Sequence, residues 1–403
     1  MPDYPIQFDF MYLFLAILML SCAQFGSQIF FPALPSIAEQ FAISNNNAQQ
    51  IMMLYFVSFG MSQLVFGPWS DSVGRRKVFL AGQLLFIIGC LLSAFATSPS
   101  ILAIGRLLQG LGAGAPLIVS RTLLSDILVG NKLKQATASL AIAASLFSVS
   151  APLLGGWYVD SNDWQSLFLF MTFYLSVIWV VGFKLLPCAS VKTILPSPTI
   201  ILIEYGKLIR DSRFINASSF KWLPSILYLT CVTYFPFEFQ NKLVVSAKEY
   251  GFYMSLCLFG LVLGTLLGKL SQKFLSHQNI LALFWPLLLL SGVGFYSLSF
   301  SAANMLICYG VFLICTGAYY PICLQLIIEP FQEKKGTAFA LSGAIDMFGS
   351  ALVASIVIKY CLTDMQSLGA LFILAALLLA ISWCFLFKFP KRKHKQYYIY
   401  SSK

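Results

Sequence analysis

The 403-residue chain is 59% hydrophobic and only 10% charged, with a mean hydropathy of +0.81, against about 25% charged residues in an average soluble domain. So few charges cannot cover a soluble surface of this size, which excludes an ordinary globular enzyme, a disordered protein and a small disulfide scaffold. The net charge of +11 would suggest nucleic acid in a soluble protein. In a chain this apolar it fits Lys and Arg gathered on one side of a membrane, and no nucleic-acid partner is expected.

A bilayer-spanning helix needs about 20 apolar residues. Apolar segments fall at 9–34, 48–69, 78–97, 101–124, 136–158, 165–187, 216–237, 250–270, 279–299, 303–328, 336–359 and 366–388. These predict an all-α integral membrane protein of twelve transmembrane helices. The first segment runs from Phe10 past Phe31 with no Lys or Arg before it, so it reads as a span and not as a cleaved signal peptide. The seventh and eighth are the least clean, because Lys221 and Pro224 sit near the start of one of them. The longest polar gap, 188–215, carries Pro196, Pro198, Lys207, Arg210 and Arg213. It divides the chain into six-helix halves at 1–187 and 216–390, with a linker at 188–215 and a basic tail at 391–403.

Orientation follows from counting Lys and Arg by loop. The loops after even-numbered segments, together with the tail, take 21 of the 26, including Arg75, Arg76 and Lys77 and, in the central gap, Lys207, Arg210, Arg213 and Lys221. The opposite loops hold only Lys242, Lys248 and Lys359, while Arg106 and Arg121 fall inside the fourth segment. This bias predicts a plasma (inner) membrane protein with both termini in the cytoplasm. The Lys391–Lys395 run, KRKHK, reads as a positive stop after the last span. The ten Cys lie mostly inside apolar runs and form no C-x-x-C, so they read as small buried apolar residues. His277 and His394 are far apart in sequence. No metal centre, cofactor or His-based catalysis is expected.

The most informative stretch is Gly67-Pro68-Trp69-Ser70-Asp71-Ser72-Val73-Gly74-Arg75-Arg76-Lys77, between the second and third segments. Its glycines allow a tight reversal and close helix approach. Asp71 ends one helix and Arg75 begins the next, so the pair can bridge the two ends. The stretch resembles motif A of the major facilitator superfamily, G-x-L-A-D-R-x-G-R-K, on the corresponding loop. Further matches run along the chain. Arg106 in Ile104-Gly105-Arg106-Leu107-Leu108-Gln109-Gly110 resembles motif B, followed by Gly112 and Gly114. Arg121 and Asp126 resemble the R-x-x-x-x-D that closes that helix. Ser148-Val149-Ser150-Ala151-Pro152-Leu153-Leu154-Gly155-Gly156 resembles motif C, the antiporter motif. Phe31-Pro32-Ala33-Leu34-Pro35 is similar to the L-P-A-L-P of the bicyclomycin-resistance (Bcr/CflA) type of drug:proton antiporter, and Tyr234-Phe235-Pro236-Phe237 loosely resembles that type's S-P-F.

The resemblance implies two pseudo-symmetric six-helix bundles around a cavity that opens alternately to each side, with substrate near the midplane. It implies a cytoplasmic gate at Gly67, Asp71, Gly74, Arg75, Arg121 and Asp126, a proton-linked role for Arg106, and a helix-five bend at Pro152, Gly155 and Gly156. It implies substrate contacts drawn from Gln24, Gln28, Tyr55, Gln63, Gln109, Tyr234, Glu238, Tyr319, Tyr320 and Gln325. The expected partners are a small molecule, protons and the lipid bilayer, with the chain acting as a monomer.

Charge at mid-bilayer is costly, so each instance asks for a reason. Arg106 either lines the cavity or snorkels to the interface. Asp346 lies near the middle of the eleventh segment between Gly343 and Gly349. It is a candidate proton carrier, and it can pair with a cationic substrate, with Arg106, or with a neighbouring Ser or helix partner. Two positions depart from the resemblance. Gln28 stands where the bicyclomycin-resistance type has an acidic residue, and Gln165 stands where Trp-Arg is usual. Gln carries no proton, so the expectation is that the coupling carboxylate has moved from helix one to Asp346. The readings that follow are a proton-coupled efflux antiporter or, on the same fold, a siderophore or other metabolite transporter. A membrane enzyme would need clustered His, Asp or Glu, a channel would need a polar helix face, and no Walker A motif is present.

Overall fold

The computed structural model describes residues 6–187, 198–328, 330 and 335–387. The helices in chain order are α1 (Ile6–Gln28), α2 (Leu34–Gln40), α3 (Asn45–Val73), α4 (Arg75–Ala94), α5 (Pro99–Ile127), α6 (Gly130–Val159), α7 (Trp164–Leu185), α8 (Pro198–Ile209), α9 (Ser212–Phe237), α10 (Ala247–Ser271), α11 (His277–Ser297), α12 (Ala302–Ile328), α13 (Lys335–Ala344), α14 (Ser350–Tyr360) and α15 (Met365–Phe387). A 3-10 turn at Phe31–Ala33 joins α1 to α2, and π-helical turns follow α9 at Glu238–Lys242 and link α13 to α14 at Ile345–Gly349.

The chain supplies its own helix punctuation. Ser44, Ser98 and Ser276 cap α3, α5 and α11 by accepting a backbone N–H. Ser246 and Glu249 form a reciprocal capping box at α10. Pro99 opens α5, where its missing N–H has no helical acceptor to lose.

Eleven helical spans among the described residues are long and apolar enough to cross a bilayer. The twelfth, α9, is 26 residues long but is diluted by Arg213, Lys221 and several hydroxyls. This corrects the loop count: Lys221, taken above as one of the cytoplasmic cations, lies buried within a spanning helix. The polar gap also contains α8, and α9 begins at Ser212, inside the stretch read as linker. The basic tail at 391–403 and the first part of the linker lie outside the described residues.

Packing repeats between the halves. The α3–α5 contact recurs as α10–α12, α4–α7 as α11–α15, and α1–α6 as α9–α14. The halves meet along two seams, α6 against α10 and α3 against α13, the second π-turn and α14. Both depend on glycine. A Cβ on Gly156 would stand 2.4 Å from the Ala247 carbonyl oxygen, and one on Gly60 would stand 2.3 Å from the Phe348 nitrogen. Polar contacts join the halves at the face opposite the Val73–Arg75 turn: Gln49 Nε2 donates to the Thr233 carbonyl at 3.2 Å, Gln240 Nε2 to the Pro32 carbonyl at 3.0 Å, and Gln50 Nε2 to the Ser355 carbonyl at 2.9 Å. The molecule is therefore closed at that opposite face.

Candidate functional site

At the α3–α4 turn only one residue, Gly74, separates the helices, with φ of +95°. A side chain would strain that conformation. Arg75, on the first turn of α4, reaches back to Ser70 Oγ at 2.6 Å and to Asp71, and across to α5, donating to Asp126 from Nε at 2.8 Å and from Nη2 at 3.2 Å. Two parallel donors on one carboxylate are the fork geometry that Arg has and Lys lacks. Arg76 donates to the Phe183 carbonyl and lies over the Phe183 ring, tying α4 to α7. Asp71, Gly74, Arg75 and Asp126 thus come together at one turn. Gly67 does not take part: a Cβ there would meet nothing within 4 Å, so close approach is not its reason. Arg121 is exposed on α5.

Arg106 does not snorkel. It is 1% exposed, with its guanidinium carbon 4.6 Å from the Tyr55 ring centroid and 5.3 Å from that of Phe30. Burying this cation is offset by these aromatic faces and by Nη1 donating to Gln109 Oε1 at 2.6 Å. Gln109 Nε2 donates in turn to the Gly89 carbonyl at 3.1 Å and to Ser93 Oγ at 2.9 Å. This corrects the cavity role given to Gln109, whose amide is fully engaged between α4 and α5. Tyr55 is fully buried and its hydroxyl donates to the Ala23 carbonyl. Tyr319 is likewise a core residue, edge-on to Phe220. Gln325 is exposed three residues from the end of α12, away from mid-helix. Gln24 Oε1 accepts from Ser148 Oγ at 3.2 Å, and Gln28 is buried with its Oε1 unpartnered among the described residues. In motif C, Gly155 packs on the Ile29 carbonyl in the turn just after α1, while Gly251 of α10 packs on the Pro152 carbonyl, so this stretch touches both halves.

Asp346 is not paired with Arg106. It sits in the Ile345–Gly349 π-turn, where Ser225 Oγ donates to Oδ1 at 2.6 Å and Lys221 Nζ stands 3.2 Å from Oδ2. Lys221 and Ser225 are one turn apart on α9, so one helix face serves both oxygens. The lysine and aspartate side chains are 4% and 3% exposed. Trp222 brackets the π-turn, donating from Nε1 to the Ser342 carbonyl at 3.0 Å and accepting at its own carbonyl from Ser350 Oγ at 3.3 Å. The same turn forms the α3 seam through Phe348 and Gly60. A buried ion pair therefore sits on the element where the halves touch. Lys221, the functional candidate that sequence reading missed, carried one signal: a cation four residues before Ser225 in an otherwise helical segment.

A helical membrane protein of two repeated halves, with buried charges at their junction, is the architecture of a secondary transporter. The chain belongs to the Major Facilitator Superfamily, whose family model matches residues 16–352. It is 24% identical over 389 residues to Multidrug resistance protein D of Escherichia coli (strain K12), covering 92% of this chain and 94% of that protein. It is 25% identical over 338 residues to Multidrug resistance protein MdtL of Citrobacter koseri, covering 81% and 83%. Among solved structures, a mutant form of the nucleoside transporter NupG superposes with a TM-score of 0.76 at 14% identity, covering 94% of this chain and 100% of that one. The D-xylose-proton symporter gives 0.74 at 13% identity, covering 92% and 97%. These structural matches establish the fold. The chain is a multi-pass membrane transporter.

Proposed function

We propose that the protein exports a small amphipathic molecule across the plasma membrane in exchange for protons, by alternating access, with both termini cytoplasmic and in the manner of the drug:proton antiporters. On this reading the closed face is the outer one, and the Arg75–Asp71–Asp126 cluster belongs to the cytoplasmic gate.

The observation that carries the reading is the buried Asp346–Lys221 pair on the seam between the halves. While Asp346 is ionised the pair is neutral and Lys221 is held. A proton on Asp346 removes the attraction and leaves a buried ammonium without its counter-charge, which a low-dielectric interior tolerates poorly. Relief requires Lys221 or the π-turn to move, and the π-turn is what Gly60 of α3 packs against. Proton occupancy thereby biases the junction of the halves. Arg106, lacking a carboxylate within ion-pair distance among the described residues, supports the first half as a cation-bearing scaffold. The relatives' names support a drug-like cargo.

The test is accumulation of dyes, antibiotics and iron chelates in inverted vesicles, with and without a protonophore, for the native protein and for Asp346→Asn. Gradient-driven accumulation that the substitution abolishes is expected. Full gradient dependence in the variant overturns the role of Asp346, and accumulation indifferent to the protonophore overturns antiport.

A further inference from the structure

A second buried carboxylate, just past the C-terminal end of α9, is Glu238, in the Glu238–Lys242 π-turn. Its side chain is 4% exposed, and Lys242 Nζ approaches Oε1 at 2.8 Å. Oε2 has no hydrogen-bond partner among the described residues. The Tyr234 hydroxyl, one helical turn earlier and also buried, likewise has no hydrogen-bond partner among the described residues. A bare buried carboxylate oxygen calls for a donor. Lys242 supplies one only to Oε1, because its backbone belongs to the same short turn. Its side chain is 53% exposed and its ammonium lies 5.9 Å from the Phe300 ring centroid, so this half of the site borders solvent.

We propose that Glu238, with Tyr234 and Phe300, forms a binding site for a protonated primary amine at the face opposite the Val73–Arg75 turn, and that Lys242 is its resident, displaceable occupant. Lys242 shows the ligand chemistry in place: an ammonium on an alkyl chain, against a carboxylate and beside an aromatic face. An untethered ammonium carries three donors and can bridge Oε1, Oε2 and the Tyr234 oxygen at once. Displacing Lys242 costs little when the incoming ammonium takes over its place on the buried Glu238 carboxylate, because the half-exposed lysine itself returns to water. A quaternary ammonium has no N–H and cannot satisfy Oε2. The proposal rests on the transporter reading and gives its substrate class, an amphipathic amine that passes this site at the outer face.

Titration calorimetry of the purified full chain in detergent tests it, with spermidine as probe and tetraethylammonium as control. Lys242→Ala removes the internal competitor from an exposed position that leaves the fold intact, and spermidine affinity is expected to rise about fivefold. Glu238→Gln is expected to weaken it at least tenfold, with tetraethylammonium binding unmoved by either change. Spermidine affinity unchanged or lowered in Lys242→Ala, or equal strengthening for tetraethylammonium, overturns the proposal. The readout is binding alone, so a negative result leaves the vesicle assay of Asp346→Asn standing, and failure of that assay leaves the amine site standing.

Discussion

The second half holds two acid–lysine pairs that look alike in sequence terms and differ in physics. Asp346 and Glu238 each lie in a π-helical turn, and each faces one lysine amine. Lys221 is 4% exposed and joins the pair across two helices, whereas Lys242 is 53% exposed and shares its turn with Glu238. The first pair is a locked element, since neither partner can leave without stranding a charge in the interior. The second is a loose contact whose cation can depart into water. Where the lysine can go, rather than the carboxylate it meets, decides whether such a pair acts as a structural lock or as an occupied binding site.

The largest effect should come from breaking the locked pair on one side only. Lys221→Met strands Asp346 and should destabilise the purified protein by about 3–5 kcal/mol, read as a lowered thermal midpoint. The double variant with Asp346→Asn should recover most of that loss, and a cycle with no recovery would mean that the two side chains do not act together. Next in size are the seams between the halves. Gly156→Val drives a methyl into the α10 backbone near Ala247 and should cost about 1–3 kcal/mol. Disulfide trapping between Gln50→Cys and Ser355→Cys should then fall, because the halves separate at that face. Unchanged trapping would show that the seam accommodates the extra volume.

A smaller effect is expected in the first half, where the Arg75 cluster serves as a control for charge pairs outside the second half. Arg75→Lys keeps the charge but loses the fork to Asp126, at about 1 kcal/mol, measured by melting. A much larger loss would make that cluster as locked as the Asp346 pair. For Lys242→Ala the half-exposed cation is lost and both Glu238 oxygens are left bare, so the cost should be about 1–2 kcal/mol of stability, still below that of Lys221→Met. A loss comparable to that of Lys221→Met would erase the distinction between the two pairs.

Much of the fold was legible because bilayer crossing writes itself as apolar length and as Lys and Arg bias between loops. The Arg75 charge cluster was legible through Asp71, Gly74 and Arg75, whose spacing alone places an acid and a cation on either side of a one-residue turn. Lys221 was not legible, because a cation at the polar edge of a span counts equally well as loop, and its partner lies 125 positions later, at Asp346. Gln109 was misread as a cavity residue, although its i,i+3 spacing from Arg106 already offered a hydrogen bond. The bare oxygen of Glu238 and the open space around Gly67 are facts of three-dimensional packing, which no single-chain pattern encodes.

The Ile345–Gly349 turn has one further consequence. A π-turn holds one residue more than the regular helix, so α13 and α14 are out of phase with the continuous helix the same chain would otherwise form. Each residue of an α-helix advances about 100° and 1.5 Å. Deleting Met347 would restore the regular phase, rotate Ser355 off Gln50 and carry Asp346 away from either Lys221 or the seam. Conversely, migration of the extra residue along the helix turns one end relative to the other without breaking it, so the turn is a gear tooth that can slip by a single step.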